Sequence, residues 1–312
     1  MGTIMQSKKG DDLPKERPKL SVCVSVYGRP KFVAQCLESI IQQECNFKFE
    51  IIVSDDCSPD GASDVIRDYE SRYPDLLRGI YHPVNRGAGQ NYLDLHDQAK
   101  GHYIAHIDGD DLMLAGKLQA QADFLDNNPD FAVVWHRASR LHSDGRMTFP
   151  AKRSENLSGV YELSDLLCFG SVAVHSSKMY RSELVSLTRS RIVHKYDYEI
   201  DLLQLEHGSG FVLGEVLGCY RISDGSLSSD PNSIWNQALV TILKERALVR
   251  GFSGSCAAAN LLFMALISIL KRKPGGWSSL RSLRKFLTFR SVLVFISTIG
   301  RRKRVIADTG GS

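Results

Sequence analysis

Residues 103–113 read YIAHIDGDDLM. An apolar run with the character of a β-strand stops abruptly in three carboxylates, Asp108, Asp110 and Asp111, set around one glycine. Asp108 and Asp110 are two residues apart, so in extended chain both side chains point to the same side. Two carboxylates held close repel, and one protonates unless a cation resolves the conflict. A hard divalent cation such as Mg²⁺ or Mn²⁺ does so, since it binds through one or two carboxylates and completes its shell with phosphates and water. Taken alone, the tetrapeptide reads more readily as a solvated acidic turn.

The surroundings place this stretch at a strand end in an α/β sheet. Upstream, LSVCVSV (20–26) alternates as a strand should, and PKFVAQCLESIIQQ (30–43) has helical spacing with proline at its start. FEIIVSDD (49–56) is a second strand that ends in acids, ASDVIRDYESRY a second helix, GIYHPV (79–84) a third strand and GQNYLDLHDQAKG a third helix. Strand and helix alternating at short intervals predict a mostly parallel, Rossmann-like sheet flanked by helices. Ligands of such sheets bind beyond the C-terminal strand ends, so the acids at 55–56 and 108–111 are expected to converge on one cleft. FAVVWHRASRLH (131–142) continues the sheet, a helix is expected around 197–206, and FVLGEVLGCYR supplies a last strand. ISDGSLSSDPNS (222–233) is a Ser/Gly/Asp/Pro loop and the candidate domain boundary. The expected organisation is a polar tail over 1–17, a catalytic domain over 18–230 and a basic helical extension over 231–312.

Charge divides along the same line. Residues 1–250 carry 28 Lys+Arg against 34 Asp+Glu, whereas 251–312 carry 11 against the single Asp308. The acidic site and the basic partner surface therefore belong to different parts of the chain. Seven cysteines are dispersed without a C-x-x-C pair, which fits thiols in a reducing compartment. The polar first twenty residues lack the apolar core of a secretory signal, so a cytoplasmic location is expected.

The segments LSVCVSVYGRPKFVAQCLESIIQQ, FEIIVSDDCSPDGASDVI, NRGAGQNYLDLHDQAKGHYIAHIDGDD and VHSSKMYRSEL resemble, in order and spacing, the family 2 glycosyltransferases of GT-A fold. The resemblance implies a nucleotide-sugar donor, Mg²⁺ or Mn²⁺, and inverting transfer to a hydroxyl of a saccharide or lipid-linked saccharide. It places Ser25, Tyr27, Arg29 and Asp56 against the nucleotide, and Asn85, Gly87 and Asn91 along the donor pocket. Asp108 and Asp110 match the metal-binding D-x-D pair, Asp110 being the expected direct ligand. In HKYDYEIDLLQLEHG (194–208), Asp197 matches the general base, with Glu199 in reserve. Asp197, Glu199 and Asp201 also suit the N-terminal turn of a helix on electrostatic grounds alone. His175 matches an acceptor-side segment, and Arg221 is expected to help hold the diphosphate. Ser223 and Ala115 depart from the family pattern, which has histidine and proline at those places.

The basic extension opens with CAAANLLFMALISIL (256–270), an apolar stretch of fifteen residues, short of the roughly eighteen that a spanning helix needs. SSLRSLRKFLTFRSVLVFIS then sets Leu280, Leu283, Phe286 and Leu287 on one helical face and Arg281, Arg284 and Lys285 opposite. That pattern suits a helix lying on the cytoplasmic face of an anionic membrane, and it suits a cap on the catalytic domain as well. Building a cell-surface polysaccharide or glycolipid is the expected role. A sugar-phosphate nucleotidyltransferase fits less well, because VSVYGRPKF has no glycine run. A nucleotide-sugar sensor or scaffold needs no base such as Asp197. No G-x-G-x-x-G follows a strand, against a dinucleotide oxidoreductase, and no nucleic-acid-binding module accompanies the basic residues.

Overall fold

The computed structural model describes residues 17–149, 158–222, 234–248, 252–270, 280, 283 and 286–298. The polar tail up to residue 16, the candidate boundary loop with Ser223, and Arg281, Arg284 and Lys285 lie outside the described residues.

The first half of the chain builds a parallel sheet from β1 (Leu20–Val26), β2 (Phe49–Asp55), β3 (Leu77–Tyr81) and β4 (Tyr103–Asp108). These stand side by side in the order β3-β2-β1-β4, all parallel. Helices α1 (Pro30–Ile41), α2 (Ala62–Arg72) and α3 (Ala88–His96) make the crossovers that parallel neighbours require. β1 is central and buried on both faces. Val22 and Val24 face one core, with Val33, Leu37, Ile66 and Leu118, while Cys23 faces the other. The period of two sorts them.

The second half departs from pure parallel order. After β5 (Leu112–Met113) and α4 (Lys117–Asn127) come β6 (Phe131–Leu141), β7 (Met147–Thr148), β8 (Gly159–Tyr161), α5 (Leu163–Phe169) and β9 (Met179–Arg181). α6 (Glu183–Arg189), α7 (Asp197–Gln204) and β10 (Ser209–Arg221) complete the sheet region. β9 enters antiparallel between β4 and β6, in the register Ala105 to Met179 and Ile104 to Tyr180. Continued toward the end of β4, that register brings residue 176 opposite Asp108. An antiparallel insertion thus delivers a hydroxyl to the acidic turn that a parallel strand would have sent to the far edge.

α8 (Ile234–Ala247), α9 (Phe252–Leu270) and α10 (residues 289–298) follow. Among the described residues, no helix is long and apolar enough to cross a membrane. α9 is apolar nearly all round, and a helix of that kind belongs in an interior. Cys256 to Phe263 are all buried, and α9 lies against α5 and α8. They share one core with Cys23, Ile52 and Trp135 of the sheet and with Leu283, Phe286 and Val294 farther on. The apolar face expected to meet lipid is therefore placed differently: Leu283 and Phe286 are buried and Leu280 packs against them, because the sheet face needs a cover. Leu261→Ala is expected to cost about 2–5 kcal/mol in urea denaturation, the scale of a buried leucine truncation. Phe289→Ala, at a position 81% exposed, is expected to stay within about 0.5 kcal/mol.

Candidate functional site

The glycine of the acidic turn is required by a close approach. A Cβ on Gly109 would lie 2.8 Å from the Val26 side chain and 3.1 Å from the Ser25 carbonyl oxygen, to which Gly109 N–H already donates at 2.8 Å. The turn is laced to the end of β1, and the aspartates on either side are held there with it. Asp108 accepts from Ser25 Oγ at 2.9 Å and His106 Nε2 at 3.3 Å, and its N–H donates to Ser176 Oγ at 3.0 Å. Asp110 pairs with Arg29 Nη1 at 2.6 Å. Asp111 is buried, accepting from Ser176 Oγ at 2.5 Å and Arg221 N–H at 2.8 Å.

Three carboxylates in one turn differ in charge because their surroundings differ. Burial pushes Asp108 up, but hydrogen bonds from His106, Ser25 and Ser176 prevail and hold it below the usual carboxylate range. Burial raises Asp110 and the charge of Asp108 adds to it, with Arg29 opposing. Asp111 rises well above the usual range through burial and then the charges of Asp110 and Asp108. The Asp108 and Asp110 side chains remain 41% and 30% exposed, open to a ligand from solvent. Among the described residues, no three His, Cys, Asp or Glu side chains are grouped to hold a metal by themselves.

Across β1, the β2 acids take separate tasks. Asp55 accepts from Ser58 N–H at 3.1 Å and from the Ser58 and Ser63 hydroxyls, which closes the following turn. Asp56 is buried and accepts from Arg86 N–H at 2.7 Å and Gly87 N–H at 2.9 Å, which fixes the loop before α3. Gly87 has φ +82°, a conformation side chains rarely adopt, and Asn85 Oδ1 accepts from its N–H as well, at 2.8 Å. Asn85 is exposed, whereas Asn91 is buried with its Nδ2 donating to the Ser54 carbonyl at 3.3 Å. Asn91 thus braces β2 from within. Tyr27, 58% exposed, extends past the end of β1. Arg29 adopts φ +63° at the start of α1, with its N–H on Asp60 Oδ2 at 2.7 Å, and so aims its guanidinium at Asp110.

Asp197 begins α7, accepting from Tyr198 N–H at 2.8 Å. Burial, then the charge of Asp201, pushes it up to about 6, and the charge of Asp108 contributes in the same direction. Asp201 is buried with Lys178, Nζ to Oδ1 2.8 Å. Glu199, the reserve candidate, accepts from Val193 N–H at 3.1 Å, His194 N–H at 2.8 Å and Lys195 N–H at 3.0 Å. It is a clamp on the loop entering α7. Arg221 donates from Nε to the Asp110 carbonyl at 2.7 Å and lies over the Phe32 ring at 4.0 Å.

The His175 ring lies tilted against that of His106, ring centroids 4.3 Å apart, and its buried Nδ1 has no hydrogen-bond partner. Burial drives His175 and His96 well below the usual histidine range and lowers His106, so the three rings are neutral near pH 7. Ser176, His106, Lys178 and Asp201 escaped the reading of the sequence as site residues. The period of two that put His106 on the same side as Asp108 was a usable signal. The register that brings Ser176 and Lys178 in from seventy residues away was not visible. A cavity of 460 Å³ beside Arg17, Lys19, His102 and Arg181 is lined by none of these site residues.

A family model described as "Glycosyl transferase family 2" matches residues 21–186. An uncharacterised protein of Mycobacterium tuberculosis is 29% identical over 206 residues, which are 65% of this chain and 58% of that one. The chain thus spans less than two thirds of the length of these mycobacterial relatives. The putative teichuronic acid biosynthesis glycosyltransferase TuaG of Bacillus subtilis is 24% identical over 75% of this chain and 90% of its own. The fold is also that of S. aureus TarS residues 1–349, solved with UDP-GlcNAc, at TM-score 0.66 and 19% identity over 93% of this chain and 89% of that one. Mannosyltransferase PcManGT of Pyrobaculum calidifontis, solved with GDP-Man and Mn²⁺, gives TM-score 0.59 and 17% identity over 96% and 89%.

Glu199→Gln keeps the shape of the clamp but turns an amide donor toward backbone donors. It is expected to lower stability by about 1–3 kcal/mol in urea denaturation, the cost of buried groups left unpaired.

Proposed function

The chain belongs to glycosyl transferase family 2, and from that premise we propose that it moves a sugar from a nucleoside-diphosphate donor to a hydroxyl with inversion. The observation that carries the reading is a bridge: residues 176–178 meet the acidic turn through Ser176 Oγ, 3.0 Å from Asp108 N and 2.5 Å from Asp111, and meet α7 through Lys178 Nζ, 2.8 Å from Asp201. Asp197 lies one helical turn before Asp201, and in this reading the candidate base and the acids at the diphosphate end serve one reacting centre.

Asp197 takes the proton of the acceptor hydroxyl as that oxygen attacks the anomeric carbon. The new C–O bond forms on the face opposite the breaking one, and the nucleoside diphosphate leaves with the electron pair. A base raised to about 6 is ionised near pH 7 yet more basic than an ordinary carboxylate, which suits proton abstraction. Asp56 orders the 85–87 loop, and Tyr27, Ser25 and Arg29 border the nucleotide. Arg221 braces the acidic turn from the other side.

Asp108 and Asp110 would hold Mg²⁺ or Mn²⁺. The fit lies in their exposure and mutual repulsion, which a cation relieves, and a bound diphosphate would supply the remaining ligands. Such an ion would stabilise negative charge developing on the leaving diphosphate. The Mn²⁺ complex of PcManGT supports this assignment. The acceptor in this reading is a saccharide or lipid-linked saccharide of cell-surface polysaccharide or glycolipid synthesis, and the teichuronic acid biosynthesis in the name of TuaG supports the polysaccharide part of it. In this reading the chain works on the cytoplasmic side, at the membrane surface as taken up below, and seven cysteines with no disulfide among them fit a reducing compartment.

A thermal-shift panel of UDP- and GDP-sugars with and without Mn²⁺ tests the reading; no stabilisation by any nucleotide sugar would sink it. Asp110→Ala is expected to abolish Mn²⁺-dependent binding of the nucleoside diphosphate in calorimetry. Asp197→Asn should keep donor binding and lose transfer by at least about a hundredfold. In the wild type the rate is expected to rise with pH through about 6 and level above it, as Asp197 deprotonates, and this limb should vanish in Asp197→Asn.

A further inference from the structure

The transferase reading leaves one surface without a task. α10 exposes Phe289, Val292, Leu293 and Ile296 at 81%, 37%, 50% and 59%. Their spacing, i, i+3, i+4 and i+7, is a single helical stripe. Ser291 and Val294 on the other side are buried, and Phe295 packs against the core. One stripe therefore fastens the helix to the protein and a second, apolar one faces outward. Single exposed apolar residues are ordinary, but a contiguous stripe marks a contact surface.

Charge selects the occupant. Within residues 251–312 the excess of Lys and Arg is +10, with Lys271, Arg272 and Lys273 ahead of α10 in sequence and Arg301, Arg302, Lys303 and Arg304 after it. A second copy seated on this stripe would bring two such cationic segments together, and they would repel. An anionic bilayer attracts them while it takes up the apolar side chains. At ten residues α10 is about 15 Å long, enough to lie in a headgroup layer and too short to span one.

We propose that α10 is a membrane-docking helix, which buries Phe289, Val292, Leu293 and Ile296 in the interface of an anionic bilayer. It deepens the reading of a lipid-linked acceptor but stands on different residues, so nucleotide binding serves as an independent control.

The test is co-sedimentation of the full chain with phosphatidylcholine vesicles, with and without phosphatidylglycerol. The full chain is expected to pellet with the anionic vesicles, less so as salt is raised. The double variant Leu293→Glu with Ile296→Glu should lose at least about tenfold in partitioning, as two apolar anchors become charged. Its melting temperature and nucleotide binding should match the wild type, and Phe289→Ser should fall between the two. Equal partitioning of wild type and double variant would overturn the proposal, as would equal binding to neutral vesicles. A dimer in analytical ultracentrifugation that the double variant abolishes, without vesicle binding by either, would assign the stripe to a second copy instead.

Discussion

Holding three carboxylates within one turn at the end of β4 is the constraint around which the strand ends are arranged. Unit charges a few ångströms apart interact by several kcal/mol wherever water is partly excluded. The fold answers each charge with its own counterweight. Asp108 has the hydroxyl of Ser25 and the imidazole of His106, Asp110 has the guanidinium of Arg29, and Asp111 has the Ser176 hydroxyl and the Arg221 amide. These partners come from β1, β4, the turn before β9, the start of α1 and the end of β10. Five parts of the chain must meet for the turn to exist, so the acids act as a keystone for the strand ends as well as the proposed ligand surface.

Beneath this layer lies a second, buried one. Lys178 and Asp201 form a buried ion pair, and Lys117 places its ammonium on the Ser176 carbonyl at 2.8 Å. Burial lowers Lys117 to about 7. Buried pairs contribute little to stability compared with apolar replacements, and removing one partner is costly. Their value here is positional. Lys178 holds Asp201 under Asp197, and Asp201 in turn helps to raise Asp197 into the range where a carboxylate is an effective base.

The carboxy-terminal helices have two distinct duties that one stretch of composition conceals. α9 completes the hydrophobic cover of a sheet face, so the sheet region depends on residues beyond 250 for its core. α10 rests on that cover and turns its other stripe outward. The excess of basic charge is shared across the whole segment, but the apolar residues divide cleanly between inside and outside.

How much of this was legible in the sequence follows from the range of the forces involved. The alternation of strand and helix through residue 125, the proline start of α1, the strand-end aspartates and Asp197 at a helix start are local facts, set by side-chain period and turn chemistry. The amino-acid order alone determined them, and the family resemblance rested on the same stretches. The antiparallel entry of β9, Ser176 opposite Asp108, the commitment of Glu199 to the 193–195 loop and of Asn91 to Ser54 were decided only in three dimensions. So was the burial of Leu283 and Phe286 in place of Phe289 and Leu293. In each case local pattern allowed more than one partner, and the choice fell to whichever polar group or apolar surface would otherwise have been left buried unpaired or exposed to water, a comparison that exists only once distant segments are in contact.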